Sequence, residues 1–342
     1  MNDRNFKQLL DAQWSRDNFV CVGLDSSDGP RMRAIVDSTH DLVCAYKPNS
    51  AFYEAEGATG MATLQGLIAY INLIAPEVPV ILDAKRADIG NTNAGYVEMA
   101  FDYLQADAVT VHPYLGAEAL EPFLARADKG IIVLCRTSNP GAGEFQDLRI
   151  PLSGSRLREV ERYLNREIPE GSMPFYQYVA YSIASGWNTN GNCALVVGAT
   201  YPDELREVRQ IVGDMPILIP GVGFQQRDVP LETQVDQVVS AGKDSRGMGM
   251  IINSSRGIIF ASSGADFAEA ARAKTIELHD MINRYRTEEI GTQKIIPADK
   301  IVRIHGGPSV VLAENSRSCF ECGTLMILDN VGYKCLNCGA TV

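Results

Sequence analysis

The chain is short of basic residues: 31 lysines and arginines stand against 42 aspartates and glutamates, a formal net charge of -11. General nucleic-acid binding needs a basic surface that displaces counterions, so a nucleic-acid partner is not expected. A small local basic pocket for one phosphate remains compatible with this balance. Long hydrophobic runs are also missing, since no stretch reaches the roughly 18 uninterrupted apolar residues that a spanning helix requires. The N-terminal M-N-D-R-N-F-K-Q-L-L-D has neither the apolar region nor the cleavage pattern of a secretory signal. The expectation is a soluble, cytoplasmic protein with no membrane partner. No G-x-G-x-x-G follows the first apolar run, which removes support for an open dinucleotide-binding sheet.

What is present fits a globular enzyme. Apolar residues make up 46% and charged residues 21% of 342 residues, enough chain for a large core and about two domains. Eight short apolar runs recur at 19–25, 42–48, 79–85, 108–113, 130–137, 193–199, 215–221 and 248–255. They lack polar alternation, as parallel strands covered on both faces do. Helical patterns separate them, for example Pro202–Val212 with Leu205, Val208 and Ile211 at helical spacing. Eight strands alternating with helices predict an α/β fold, a closed (β/α)8 barrel over residues 1–287. The long connection from Asn139 to Asn192 carries its own helical patterns at Leu157–Leu164 and Tyr176–Ile183.

Barrel enzymes gather function at the C-terminal ends of their strands. Here those ends carry Asp25, Lys47, Asp83 with Lys85, His112, Thr137 with Ser138, Gly221 with Gly223, and Ser254-Ser255-Arg256. His112 has no evident partner and reads as pocket wall. The stretch I-L-D-A-K-R-A-D-I-G-N-T concentrates Asp83, Lys85 and Asp88 directly after an apolar strand. Residues two apart on a strand face the same way, so Asp83 and Lys85 should share the pocket. Lys47, on the neighbouring strand end, extends the series to Lys47–Asp83–Lys85–Asp88, in which opposite neighbours favour each ionised form. A structural ion-pair network closing the barrel mouth is the plainer alternative.

D-A-K-R-A-D-I-G-N-T resembles the D-x-K-x-x-D-I-x-x-T signature of the orotidine 5′-phosphate decarboxylase family. Gly23-Leu24-Asp25, Lys47, Pro220-Gly221-Val222-Gly223 with Gln225, and Arg256 match further family sites in order, over roughly residues 5–285. The resemblance implies decarboxylation of orotidine 5′-monophosphate to UMP, the last step of de novo pyrimidine synthesis, with no cofactor. It implies Lys85 as proton donor to C6, Asp83 beside the substrate carboxylate, and Lys47 and Asp88 holding the array. Asp25, Lys47 and Thr92 would contact the ribose, and Ser138 the pyrimidine edge, with Thr137 a near competitor. Gly221, Val222, Gly223, Gln225 and Arg256 would hold the phosphate, although Gln226 and Arg227 stand where relatives often have glycines, and Ser255 where a glycine is frequent. The family's second aspartate and threonine reach across a dimer interface, so a homodimer is implied, with Asp88, Ile89 and Thr92 serving the partner's site. The runner-up is a Mg2+-dependent sugar-phosphate decarboxylase or aldolase of the same superfamily, which places a carboxylate where this chain has Lys47. A lysine there repels Mg2+. A third reading, a non-catalytic nucleotide-binding regulator, leaves the four charges unexplained.

The eight cysteines form two groups. Cys21, Cys44, Cys135 and Cys193 lie inside apolar runs and read as reduced, buried and inert. After residue 287 the helical period ends. Residues 288–318 read as a connector with short strands, and 319–342 carry Cys319/Cys322 and Cys335/Cys338 as two C-x-x-C-G knuckles. That spacing predicts a small zinc ribbon with four thiolates around a structural Zn2+, and Asp329-Asn330 between apolar runs predicts a hairpin there.

Overall fold

The computed structural model describes residues 4–223 and 228–287, and the backbone of 301–303, 309–311, 326–329 and 332–335. The chain divides into two compact units, Met1–Thr287 and Glu288–Val342.

In the first unit each of the eight apolar runs coincides with one strand, the third strand extending one residue past its run. These are β1 (Val20–Gly23), β2 (Val43–Lys47), β3 (Ile81–Arg86), β4 (Ala108–Val111), β5 (Gly130–Arg136), and, beyond a short pair β6 (Arg149–Pro151) and β7 (Ser172–Pro174), β8 (Cys193–Val197), β9 (Ile217–Pro220) and β10 (Met250–Ser254). Their order around the sheet is β2-β1-β10-β9-β8-β5-β4-β3, with every neighbouring pair parallel. Parallel bridges Tyr46–Val80 and Asn49–Asp83 join β2 to β3 and close the ring. Every residue of β1, β2, β8 and β10 is buried, which explains why these runs carry no polar alternation. Each buried Val, Ile or Leu stabilises the barrel by about 1.5–3 kcal/mol relative to exposure.

The outer helices follow the sequence pattern. Pro202 opens the helix Pro202–Val212, Asp203 and Glu204 complement its N-terminal dipole, and Leu205, Val208 and Ile211 are buried. The 139–192 connection holds helices Gly154–Leu164 and Phe175–Ser182, and a small core of Leu152, Val160, Ile168 and Met173. The antiparallel β6–β7 pair escaped the sequence reading because three-residue strands are too short to display a period.

Cys21, Cys44, Cys135 and Cys193 are buried and free. Burial lifts the Cys21, Cys135 and Cys193 thiols to about 12, which removes the reactive thiolate. Among the described residues, no helix is long and apolar enough to cross a membrane. In the second unit β11 (Ile301–Arg303) pairs antiparallel with β12 (Ser309–Val311), and β13 (Met326–Asp329) with β14 (Gly332–Cys335). The latter is the hairpin anticipated around Asp329-Asn330.

Candidate active site

A cavity of about 410 Å³ opens at the C-terminal ends of the barrel strands, and Asp25, Lys47, Asp83, Lys85, Ser138 and Arg256 all line it. Its size suits a small organic ligand.

At its floor the Asp83 carboxylate accepts three hydrogen bonds. Oδ2 accepts from Lys47 Nζ at 2.9 Å, while Oδ1 accepts from Lys85 Nζ at 2.6 Å and from the Thr110 hydroxyl at 2.9 Å. Burial alone would raise the Asp83 pKa, but the Lys47 and Lys85 charges override it and hold the group below the usual carboxylate range. Burial likewise acts to neutralise Lys47, and the charges of Asp83 and Asp25 override that, holding Lys47 above the ordinary lysine range. The Lys47 side chain is only 4% exposed, whereas that of Lys85 is 49% exposed. One lysine is therefore fixed in the floor and the other is open to the cavity.

Asp83 and Lys85 meet, but not through the regular strand alternation that the sequence implied. The pairing of β3 with β4 shifts register between Leu82 and Arg86, so three residues of β3 oppose Thr110 alone. Lys85 takes a left-handed backbone conformation, φ 47°, uncommon for a residue with a side chain. The bulge turns the Lys85 side chain back toward Asp83.

Asp88 is not linked to the other three charges. Its Oδ1 accepts from the N–H of Ile89 at 2.6 Å, and its backbone is clamped by Asn93, which accepts from Asp88 N at 2.8 Å and donates to Asp88 O at 2.6 Å. Asp88, Ile89 and Thr92 do not line the cavity, and Ile89 is 58% exposed. The expected four-charge series is, within one chain, a three-charge cluster.

At one end of the cavity the chain leaves β9 through Gly221 (φ 108°) and Gly223 (φ 86°), conformations that side chains disfavour. Gly221 and Val222 line the cavity together with Arg256, from the end of β10. Gly223 does not, and its N–H is donated to Gln234 Oε1 at 3.0 Å. Gln225, with Gln226 and Arg227, lies outside the described residues.

Thr137 and Ser138 follow β5, which is separated from β9 by β8 alone. The Thr137 hydroxyl is engaged, donating to Asn139 Oδ1 at 2.8 Å and accepting from Gln146 Nε2 at 3.0 Å. No hydrogen bond of the Ser138 hydroxyl forms among the described residues, which separates the two competitors. Gly198 makes room for Ser138: a Cβ there would sit 2.6 Å from the Ser138 Cα. Asp25 Oδ1 is buried with no hydrogen-bond partner among the described residues, an unmet acceptor in the cavity wall.

His112 does not line the cavity, contrary to the sequence reading. Its strand ends at Val111, and the ring packs edge-on against Tyr114 at 5.9 Å. Sequence reasoning also missed Thr110, Asn253 and Gln146, which do line it. Thr110 was detectable as the lone polar residue inside A-V-T-V, and Asn253 as the first polar residue after the apolar M-I-I. Gln146 comes from the long connection, where no pattern marks it. Cys319, Cys322 and Cys338 lie outside the described residues, as does the side chain of Cys335.

The family model described as "Orotidine 5′-phosphate decarboxylase / HUMPS family" matches residues 18–273. The orotidine 5′-phosphate decarboxylase of Ralstonia nicotianae is 46% identical over 297 residues, covering 82% of this chain and 99% of that protein. That of Cellvibrio japonicus is 44% identical over 293 residues, covering 81% of this chain and 97% of its own. Among solved structures, Leishmania donovani OMP decarboxylase is 34% identical, with a TM-score of 0.66 and coverage of 82% of this chain and 99% of its own.

Proposed function

The chain belongs to the orotidine 5′-phosphate decarboxylase family, and we propose that it converts orotidine 5′-monophosphate to UMP and CO2 without a cofactor, completing de novo pyrimidine synthesis. The observation that carries this reading is the Asp83 carboxylate bridging Lys47 and the half-exposed Lys85 at the cavity floor. Loss of CO2 leaves the bonding electron pair on C6, where no neighbouring group delocalises it well. A preorganised cation is then the main source of stabilisation. Lys85 faces that carbon, stabilises the developing charge and donates a proton to it, then regains a proton from solvent. Asp83, kept ionised by its two ammonium neighbours, disfavours the substrate carboxylate beside it. Lys47 and Asp25 take the ribose hydroxyls, a role that fits the unmet acceptor on Asp25. Ser138, whose hydroxyl makes no hydrogen bond among the described residues, reads the pyrimidine edge. Gly221, Val222, Gln225 and Arg256 receive the phosphate, and Gly223 turns the chain there.

The functional unit is a homodimer in which Asp88, Ile89 and Thr92 complete the partner's site. The support is that all three stand away from their own cavity and that Ile89 is an exposed apolar residue. Barrel residues 1–287, connector 288–318 and a zinc ribbon at 319–342 make up the domain plan. Cys319, Cys322, Cys335 and Cys338 hold a structural Zn2+, a reading supported by their spacing and by the β13–β14 hairpin between the knuckles. The free, buried thiols of the barrel fit a reducing, cytoplasmic setting.

The metal-dependent alternative meets an obstacle at Lys47, whose ammonium sits 2.9 Å from Asp83 Oδ2, where a divalent cation would need the oxygen. The deciding experiment follows the ultraviolet absorbance of orotidine 5′-monophosphate with and without EDTA. EDTA-insensitive turnover is expected. No turnover, or EDTA-sensitive turnover of a sugar phosphate instead, overturns the reading.

A further inference from the structure

We propose that Thr110 is a positioning residue for the reaction, holding the Lys85 backbone and the Asp83 carboxylate in one fixed geometry through a single hydroxyl. The inference rests on the decarboxylase reading above. Thr110 is 1% exposed, in the middle of β4. Its Oγ1 accepts the Lys85 N–H at 2.9 Å and donates to Asp83 Oδ1, also at 2.9 Å. One hydroxyl can do both at once, because the single proton goes to the carboxylate and a lone pair receives the amide.

The bulge explains why this bond matters. Between Leu82 and Arg86 the β3–β4 ladder is interrupted, so the Lys85 N–H cannot be satisfied by regular strand pairing. A side-chain oxygen on the facing strand takes it instead. That bond secures Lys85 at φ 47°, a conformation a lysine rarely adopts. The same oxygen fixes the rotation of the Asp83 carboxylate, and so decides where Lys85 Nζ, 2.6 Å from its Oδ1, is held. Valine has the shape of threonine and lacks the hydroxyl, while serine keeps the hydroxyl.

The test compares steady-state kinetics of the full chain with those of Thr110→Val and Thr110→Ser. A displaced general acid loses rate rather than affinity, so kcat of Thr110→Val should fall about 10- to 100-fold. Its KM should stay within about threefold of the unaltered chain, since the phosphate and ribose contacts are untouched. Thr110→Ser should recover most of the lost kcat. Thr110→Ala repeats the comparison should valine prevent folding. If the unaltered chain turns over and the hydroxyl-free variants keep kcat within about twofold, or if Thr110→Ser is as impaired as they are, the assignment to Thr110 is wrong. A chain with no turnover at all refutes the decarboxylase reading itself, a different result.

Discussion

Lys47 and Asp83 form an ion pair 36 residues apart in sequence, Nζ to Oδ2 at 2.9 Å, with side chains only 4% and 11% exposed. Charges so placed are destabilising unless matched, and each one's protonation state depends on the other.

Removing Lys47 leaves the buried Asp83 carboxylate with only the half-exposed Lys85 as a cationic partner. Lys47→Met should reduce unfolding free energy by about 3–5 kcal/mol, measured by chemical denaturation at neutral pH. The pH dependence has a definite sign. Asp83 has a folded pKa below its unfolded value near 3.9, so its contribution is complete above about pH 4 and is lost as pH falls. Lys47 has a folded pKa above its unfolded value near 10.4, so its contribution is complete below about pH 10 and is lost as pH rises. The stability gap between the unaltered chain and Lys47→Met should be level from about pH 5 to pH 9 and narrow outside that window. A gap that persists unchanged at pH 3 contradicts the paired-charge account.

The proposed shared sites predict that two inactive variants complement each other. On that proposal Asp88→Ala removes a group given to the partner, whereas Lys85→Ala removes one used at home. Each alone should be nearly inactive. After unfolding, mixing and refolding, heterodimers with one intact site should restore about a quarter of the activity of the unaltered protein. Absence of any recovery, with dimers present by sedimentation, contradicts the placement of Asp88 in the partner's site.

The C-terminal knuckles predict about one zinc per chain in freshly reduced protein, by elemental analysis. Cys319→Ser together with Cys335→Ser should release it. Less than half an equivalent in the unaltered protein contradicts the ribbon.

The barrel was legible because unbroken apolar runs such as C-A-L-V-V leave few alternatives to a strand covered on both faces. Lys47, Asp83 and Lys85 were legible because charges at strand ends are rare without a purpose. The bulge was not. Asp83-Ala84-Lys85 reads as ordinary alternation, and only the pairing with β4 shows the lost register and the positive φ at Lys85. Thr110 was marked only by being the one polar residue in A-V-T-V, and a β-branched residue there fits any strand without specifying a polar task. Gln146 reaches the cavity from a connection whose path depends on the β6–β7 pairing. His112 was misplaced because the strand ends at Val111, two residues before the 108–113 run does.

The central claim is that Lys85 delivers the proton to C6. Lys85→Ala should lower kcat for orotidine 5′-monophosphate by at least about 1,000-fold. Its affinity for UMP, measured by calorimetry, should stay within about tenfold, because the phosphate and ribose contacts remain. Near-normal kcat in that variant would contradict the account.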